Sequence, residues 1–183
     1  IMKYSGLTRG HRFSWRLVSL LLNLLACAAF PIAVNSAHAA SVDEDLETGN
    51  LARFPWQTGG DAAWQVSSDA NATPLGTYSA RSGTIADNQT SELRVELPVQ
   101  AGAVSFSLKT LVELQGDYLK FLIDGVEQAV WTGDTNWTQS GTFNVPAGLH
   151  TFSWIYAKDA TDCGVTTDRV WIDDIDFPSV SSF

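Results

Sequence analysis

Cysteine and basic residues are scarce in this 183-residue sequence, and each scarcity excludes a class of protein. Two cysteines, Cys27 and Cys163, cannot form the multi-disulfide framework of a small secreted scaffold. Lysine and arginine together number 11 against 20 aspartates and glutamates, which gives a formal net charge of −9. Such an acidic chain repels phosphate backbones and anionic lipid headgroups. We therefore expect neither nucleic acid nor a membrane surface as a partner.

Helical periodicity and catalytic motifs are also missing after residue 40. No stretch there keeps a helical pattern over ten residues, and no serine-nucleophile elbow, HExxH zinc motif or phosphate-binding loop occurs. His150, the one histidine after residue 40, alternates with Phe152, Trp154 and Tyr156. This pattern predicts a core or hairpin residue rather than a catalytic base. We assign no catalytic residue and predict that the protein is not an enzyme.

The first 40 residues predict a helical signal peptide. Basic residues precede an apolar run over residues 17–34, and Ala37-His38-Ala39 then offers the small residues that signal peptidase reads. Cleavage after Ala39 or Ala40 would leave a secreted, periplasmic or cell-surface domain. Two alternatives stay open: an uncleaved membrane anchor, and a lipoprotein acylated at Cys27.

The mature part is predicted to hold one domain over residues 41–178, followed by a tail or the start of a linker over 179–183. It keeps all 20 acidic residues but only 7 basic ones, so its net charge is −13. A surface of this kind suits divalent cations or neutral polymers, and it equally suits solubility in a salty environment. Cys163 has no partner left for a disulfide, so stability must come from burial and from any bound ion.

Alternating apolar and polar residues predict β-strands throughout this domain. Leu119, Phe121 and Ile123 alternate with Lys120 and Leu122, and the Asp124-Gly125 pair that follows favours a tight type I′ hairpin. The same alternation occurs over residues 93–99, 104–109, 150–156 and 170–177, whereas 132–137 has the composition of a polar connection. Roughly eight to ten short strands predict an all-β, antiparallel two-sheet sandwich of the jelly-roll type.

A series of landmarks runs in a fixed order from residue 46 to residue 177. They are Leu46-Glu47, Trp56, Trp64, Gly76 before Tyr78, Val104–Leu108, Gly116–Phe121, Trp131, Trp137, Phe152, Trp154 and Trp171-Ile172-Asp173-Asp174-Ile175. Their order resembles the MAM-like branch of the concanavalin A-like lectin–glucanase jelly rolls. Animal MAM domains carry cysteine pairs that this chain lacks, so the version found in bacterial secreted enzymes and surface proteins is the nearer likeness.

Acidic residues open and close the predicted domain. They are Asp43, Glu44, Asp45 and Glu47 at its start and Asp173, Asp174 and Asp176 at its end. The first and last strands of a jelly roll commonly lie side by side, and converging carboxylates repel one another unless a cation lies between them. The resemblance implies a structural calcium ion held by Glu47 and by Asp173 or Asp174, with Asp61 and backbone carbonyls completing the shell. The alternative is a set of solvated acids at strand ends.

Six tryptophans follow Ser41, and an exposed indole ring would stack on the apolar face of a sugar. Trp137, in the polar connection, and Trp56, beside Pro55, are the two expected to be exposed, although burial in the core is the usual place for tryptophan. The predicted function is an exported, non-catalytic module that binds a polysaccharide or a cell-surface protein. A structural or accessory domain of a larger secreted enzyme is the alternative, and a glycan hydrolase is the weaker one.

Overall fold

Twelve β-strands and no helix form in the part of the chain that the structure, a computed structural model, describes, namely residues 42–69, 76–161 and 168–180. The strands are β1 (Val42–Glu44), β2 (Gln57–Gly60), β3 (Gln65–Ser67), β4 (Ser79–Arg81), β5 (Thr90–Val99), β6 (Gly102–Leu111), β7 (Tyr118–Ile123), β8 (Val126–Thr132), β9 (Thr135–Gln139), β10 (Phe143–Val145), β11 (Gly148–Ala157) and β12 (Arg169–Phe177). No helix in these ranges is long and apolar enough to cross a membrane. The predicted signal peptide, Cys27 and Cys163 lie outside the described residues.

The strands pair into two antiparallel sheets. One runs β10-β6-β12-β4-β3, with β1 paired to β12 and β9 paired to β6, and the other runs β2-β5-β11-β7-β8. Along β5, the buried Leu93, Val95 and Leu97 alternate with the outward-facing Arg94 and Glu96, as expected when one face of a sheet covers a core. This arrangement confirms the predicted all-β, two-sheet sandwich.

The hairpin between β7 and β8 forms at the predicted turn. Ile123 pairs with Val126, and Asp124 and Gly125 take φ values of 52° and 77°, which is the positive φ that a two-residue type I′ turn requires at both positions. The Asp124 carboxylate accepts a hydrogen bond from the Thr151 amide at 2.9 Å and lies 2.7 Å from Nδ1 of His150. Partial burial opposes ionisation of Asp124, but these two contacts lower its pKa. His150, which lies in β11, therefore contacts the turn of this hairpin from the neighbouring strand.

Aromatic side chains from both sheets form the centre of the core. Trp154 is fully buried, and its ring centroid lies 5.3 Å from that of Phe106, 5.0 Å from that of Phe121 and 6.4 Å from that of Phe177. Phe106 and Phe177 belong to the seven-stranded sheet, whereas Trp154 and Phe121 belong to the five-stranded sheet. These rings therefore hold the two layers together.

The first and last described strands are neighbours, as the jelly-roll interpretation requires. Val42 pairs with Phe177, Asp43 with Asp176, and Glu44 with Ile175. Beyond β12, the backbone carbonyl of Ser179 accepts a hydrogen bond from the amide of Gln100 at 2.8 Å, and Val180 forms a bridge with Val99. Two residues of the predicted tail are thus bound to the end of β5.

One local prediction was wrong. The stretch read as a polar connection contains β9, because Thr135 and Thr138 pair with Thr110 and Leu108 of β6. β-branched threonines suit a strand even where both neighbours are polar. The acidic opening contains β1, a three-residue strand that is too short to show alternation. Short strands of this kind raise the count from the expected eight to ten to the twelve seen in the described residues.

Candidate functional site

The acidic residues that open and close the predicted domain lie where β12 departs from regular pairing; we call this group the site at the termini. The register between β12 and β6 shifts between Asp173 and Asp176, and Asp174, inside this bulge, has a φ of 47°. Burial raises the pKa of Asp174; a hydrogen bond with Ser107 opposes the rise, and the charges of the nearby acids Asp45, Glu47 and Asp43 add to it. Buried Oδ2 of Asp174 and Oδ1 of Asp176 accept no hydrogen bond. The site therefore concentrates negative charge around two buried carboxylate oxygens that accept no hydrogen bond.

Two of the predicted calcium ligands, Glu47 and Asp173, accept hydrogen bonds from different parts of the backbone. Oε1 of Glu47 accepts hydrogen bonds from the backbone amides of Thr77 and Tyr78 at 2.7 and 2.8 Å. A Cβ at Gly76 would lie only 2.2 Å from that oxygen, so a side chain there would displace the Glu47 carboxylate from these amides. Asp173 is almost fully buried, and its Oδ1 accepts the amide of Asp174 at 2.8 Å.

Asp61 contacts a different part of the molecule from the other three predicted ligands. Its Oδ2 accepts the Thr90 amide at 2.8 Å, and its own amide donates to the Thr90 carbonyl at 2.7 Å. Asp61 therefore caps the start of β5 in the five-stranded sheet, whereas Asp173 and Asp174 belong to β12 of the other sheet.

The two candidate sugar-stacking tryptophans are both half-buried. The ring centroid of Trp56 lies 5.8 Å from that of Trp154 and 6.2 Å from that of Phe177. The indole N–H of Trp56 donates a hydrogen bond to Oε2 of the buried Glu44 at 3.3 Å. The expectation that Trp56 and Trp137 are exposed was wrong for both rings, and that of Trp56 closes the rim of the core. Trp137 lies in β9, which pairs with β6 in the seven-stranded sheet.

A polar depression lies on the outward face of the five-stranded sheet. It has a volume of about 200 Å³ and is lined by Gln57, Arg94, Glu96 and Thr151. Gln57 of β2 stands opposite Arg94 of β5, and Thr151 of β11 stands opposite Glu96. Three adjacent strands therefore build this surface. The sequence predicted only aromatic residues as ligand-binding residues, and none of the four side chains in this depression was among them.

The side chains of the depression combine complementary hydrogen-bonding groups. Nε and Nη2 of Arg94 both donate to Oε1 of Gln57, at 3.0 and 2.8 Å, so the guanidinium is held in place. Among the described residues Arg94 forms no ion pair. The guanidinium donates, the Glu96 carboxylate accepts, and the Thr151 hydroxyl can do either. Such a set matches neighbouring hydroxyl groups of a neutral sugar.

A buried charged cluster joins the ends of three strands. Asp117 immediately precedes β7, Lys158 follows β11 and Asp168 precedes β12. Nζ of Lys158 lies 2.9 Å from Oδ2 of Asp168 and 3.4 Å from Oδ2 of Asp117. Burial, followed by a side-chain contact with Asp168, raises the pKa of Asp117 to about 6 despite the ammonium of Lys158. Because Asp117 is completely buried, this raised pKa reflects packing rather than contact with a substrate.

Comparison with known proteins shows the architecture. No protein-family description matches the sequence, and no curated protein matches it. TmCBM61, solved in complex with β-1,4-galactotriose, is 22% identical and has a TM-score of 0.52 over 74% of this chain and 94% of its own. A cleaved adhesin domain of Lys-gingipain from Porphyromonas gingivalis is 13% identical, with a TM-score of 0.57 over 79% and 99%. The chain shares their β-sandwich fold. These similarities agree with the predicted lectin–glucanase type of jelly roll at the level of the fold.

Proposed function

We propose that this chain is an exported, non-catalytic module that binds a neutral polysaccharide. The observation that carries the proposal is the polar depression around Arg94 and Glu96, in which donor and acceptor groups lie side by side on a rigid sheet. The fold supports it, because TmCBM61 has the same sandwich and was solved with a galactose oligosaccharide. A cell-surface protein is the alternative partner. The order of landmarks over residues 46–177 and the pairing of β1 with β12 support the finer assignment to the MAM-like branch.

Sugar binding at this depression follows from hydrogen-bond geometry. Arg94 is positioned by Gln57 before any ligand arrives, so little side-chain entropy is lost on binding. A pyranose ring presents adjacent hydroxyls that can accept from the guanidinium and donate to the Glu96 carboxylate. Glu96 would repel an acidic sugar, which favours a neutral glycan. Hydrogen bonds to charged groups contribute about 1.5–3 kcal/mol each.

Replacing Arg94 by alanine is expected to weaken binding of β-1,4-galactan by about tenfold or more, since about 1.4 kcal/mol corresponds to a factor of ten. Affinity electrophoresis and calorimetry with the polysaccharide would measure the loss. Arg53→Ala, which removes an exposed arginine elsewhere, is the matched control and should bind as the wild type does. Trp137→Ala tests the tryptophan predicted from the sequence.

Four outcomes would contradict parts of this proposal. Loss of binding in Trp137→Ala but not in Arg94→Ala would move the site to β9. Binding to a surface protein, without binding to any neutral glycan, would replace the ligand class. A folded wild-type protein that binds neither would leave only a structural or accessory role, and release of sugar fragments from the polysaccharide would make the protein a hydrolase.

We also propose a structural calcium ion at the termini, held by Glu47, Asp173 and Asp174. The unpartnered Oδ2 of Asp174 and the acids around it fit a hard cation. Glu47 would bind the ion through Oε2, because its Oε1 already accepts hydrogen bonds from two backbone amides. Asp61 fits poorly, because both of its contacts are with Thr90 of the other sheet.

Calcium at a hundredfold excess over its dissociation constant should raise the melting temperature of the wild type by roughly 5 °C or more, because a ligand that binds only the folded state stabilises it by mass action. In Asp174→Asn the part of the calcium-dependent rise in melting temperature that comes from this site should disappear. Differential scanning calorimetry with calcium and with a chelator measures both values. A wild-type melting temperature that is the same in calcium and in chelator would contradict the ion.

A further inference from the structure

Three carboxylates that the sequence did not predict as site residues lie close together near the connection between β6 and β7. Glu113 and Asp117 lie in this connection, and Asp159 follows β11. Each offers one carboxylate oxygen, and these oxygens lie within 4.8 Å of one another. Among residues 42–69, 76–161 and 168–180, no other group of three acidic, histidine or cysteine side chains meets this spacing. The predicted ligands at the termini are not part of it.

Local structure holds the three carboxylates in this position. Oγ1 of Thr132 accepts the amide of Gln115 at 2.9 Å and lies 3.2 Å from the backbone carbonyl of Glu113, so the turn is fixed to β8. At Gly116 a Cβ would lie 3.0 Å from Oδ2 of Asp159 and 3.3 Å from Cδ of Glu113. The absence of a side chain at position 116 therefore lets the two carboxylates approach each other.

One carboxylate oxygen of Asp159 accepts local hydrogen bonds, and the other lies near the Glu113 carboxylate. Its Oδ1 accepts both the backbone amide and the hydroxyl of Thr161, at 2.7 and 2.8 Å. These bonds lower the pKa of Asp159, so the side chain carries a full negative charge. Its Oδ2 is the oxygen that lies over Gly116.

An independent observation indicates that the cluster has less positive charge beside it than its carboxylates carry negative charge. Asp117 is fully buried and its Oδ2 accepts no hydrogen bond, and the same holds for Oδ1 of the nearly fully buried Asp168. Lys158 supplies one ammonium for both carboxylates: its Nζ lies 2.9 Å from the other oxygen of Asp168 and 3.4 Å from this oxygen of Asp117. Arg169 donates to the main-chain carbonyl of Asp168 rather than to its carboxylate. Buried carboxylate oxygens without donors are costly unless a cation is present.

We propose that Glu113, Asp117 and Asp159 form a second divalent-cation site, suited to calcium and separate from the site at the termini. Three carboxylates are hard oxygen donors, and calcium accepts irregular arrangements in which carbonyls and water complete six to eight ligands. Magnesium demands a regular octahedron, which a group assembled from a turn and a strand end does not readily supply. A bound cation would join the β6–β7 connection to the end of β11.

Terbium luminescence and calcium calorimetry on chelator-treated protein test this site. Terbium bound here should be sensitised through Tyr156, whose phenol is influenced by the charges of Asp117 and Asp168. Asp159→Asn should weaken binding at this site by about tenfold or more, and Glu113→Gln should have the same effect, because affinity follows the number of charged ligands. Asp174→Asn, which affects the site at the termini, and Glu127→Gln, which alters an exposed acid on β8, are the matched controls.

The variants separate this site from the one at the termini. Loss of one binding event in Asp159→Asn and in Glu113→Gln, with that event intact in Asp174→Asn, supports the second site. Equal binding in wild type, Asp159→Asn and Glu113→Gln overturns it, whatever Asp174→Asn does. Calcium binding abolished by Asp174→Asn alone would leave only the site at the termini, and no binding by the wild type would overturn both. Circular dichroism confirms that each variant is folded.

Discussion

Replacing Trp154 by alanine should destabilise the fold by about 3–5 kcal/mol, the range for removing a large aromatic side chain from a core. Trp154 is fully buried at the middle of β11, opposite Leu93 of β5 and Phe121 of β7. Its ring also contacts Phe106 and Phe177 of the other sheet. The substitution would therefore open a cavity between the two layers, which neighbouring backbones cannot collapse to fill.

Equilibrium unfolding in urea, followed by far-ultraviolet circular dichroism, measures this loss. Trp154→Phe keeps an aromatic ring at the same position and should lose less than Trp154→Ala. Val130→Ala, at a residue that is 44% exposed on β8, should change the free energy of unfolding by no more than about 0.5 kcal/mol. A Trp154→Ala protein as stable as Val130→Ala would show that Trp154 does not join the two sheets.

Replacing Lys158 by methionine should also destabilise the protein by about 3–5 kcal/mol, which is the usual cost of breaking a buried ion pair by removing one partner. The side chain of Lys158 is 7% exposed, and those of Asp117 and Asp168 are 0% and 4% exposed. Without the ammonium, two neighbouring buried carboxylates lose their counter-charge. The measurement is made with chelator present, so that no cation replaces the lost charge.

Lys120→Met is the matched control for this change. Lys120 also pairs with an acid, since its Nζ lies 2.8 Å from Oε2 of Glu127, but the two side chains are 32% and 47% exposed. Exposed pairs contribute about 0–1 kcal/mol, because water solvates both charges when they separate. If Lys158→Met and Lys120→Met lose equal stability, the buried cluster does not stabilise the fold in the way described.

The sandwich could be predicted because its signals are local. Alternation in β5 and β7 marks which side chains enter the core, and the Asp124-Gly125 turn fixes the register of β7 against β8. The pairing of β1 with β12 was expected from the jelly-roll resemblance and is present. The threonine-rich β9 was missed, because it carries no periodic apolar pattern.

The surface sites could not be predicted, because they depend on register between distant strands. Gln57 and Arg94 are 37 positions apart, and only the pairing of β2 with β5 places them together. Trp56 lies beside Pro55 and close to two glycines in the sequence, which suggested exposure, yet its ring lies against Trp154. The convergence of Glu113 and Asp117 with Asp159 is visible only in three dimensions.

The central claim is that a neutral glycan binds the outward face of the five-stranded sheet. Titration of the isotope-labelled protein with β-1,4-galactotriose, followed by amide chemical shifts, tests it most directly. The account predicts that the largest shifts occur at Gln57, Arg94, Glu96 and Thr151, with little change around Trp137. Shifts centred on β9, or no shift with this or any other neutral oligosaccharide, would contradict it.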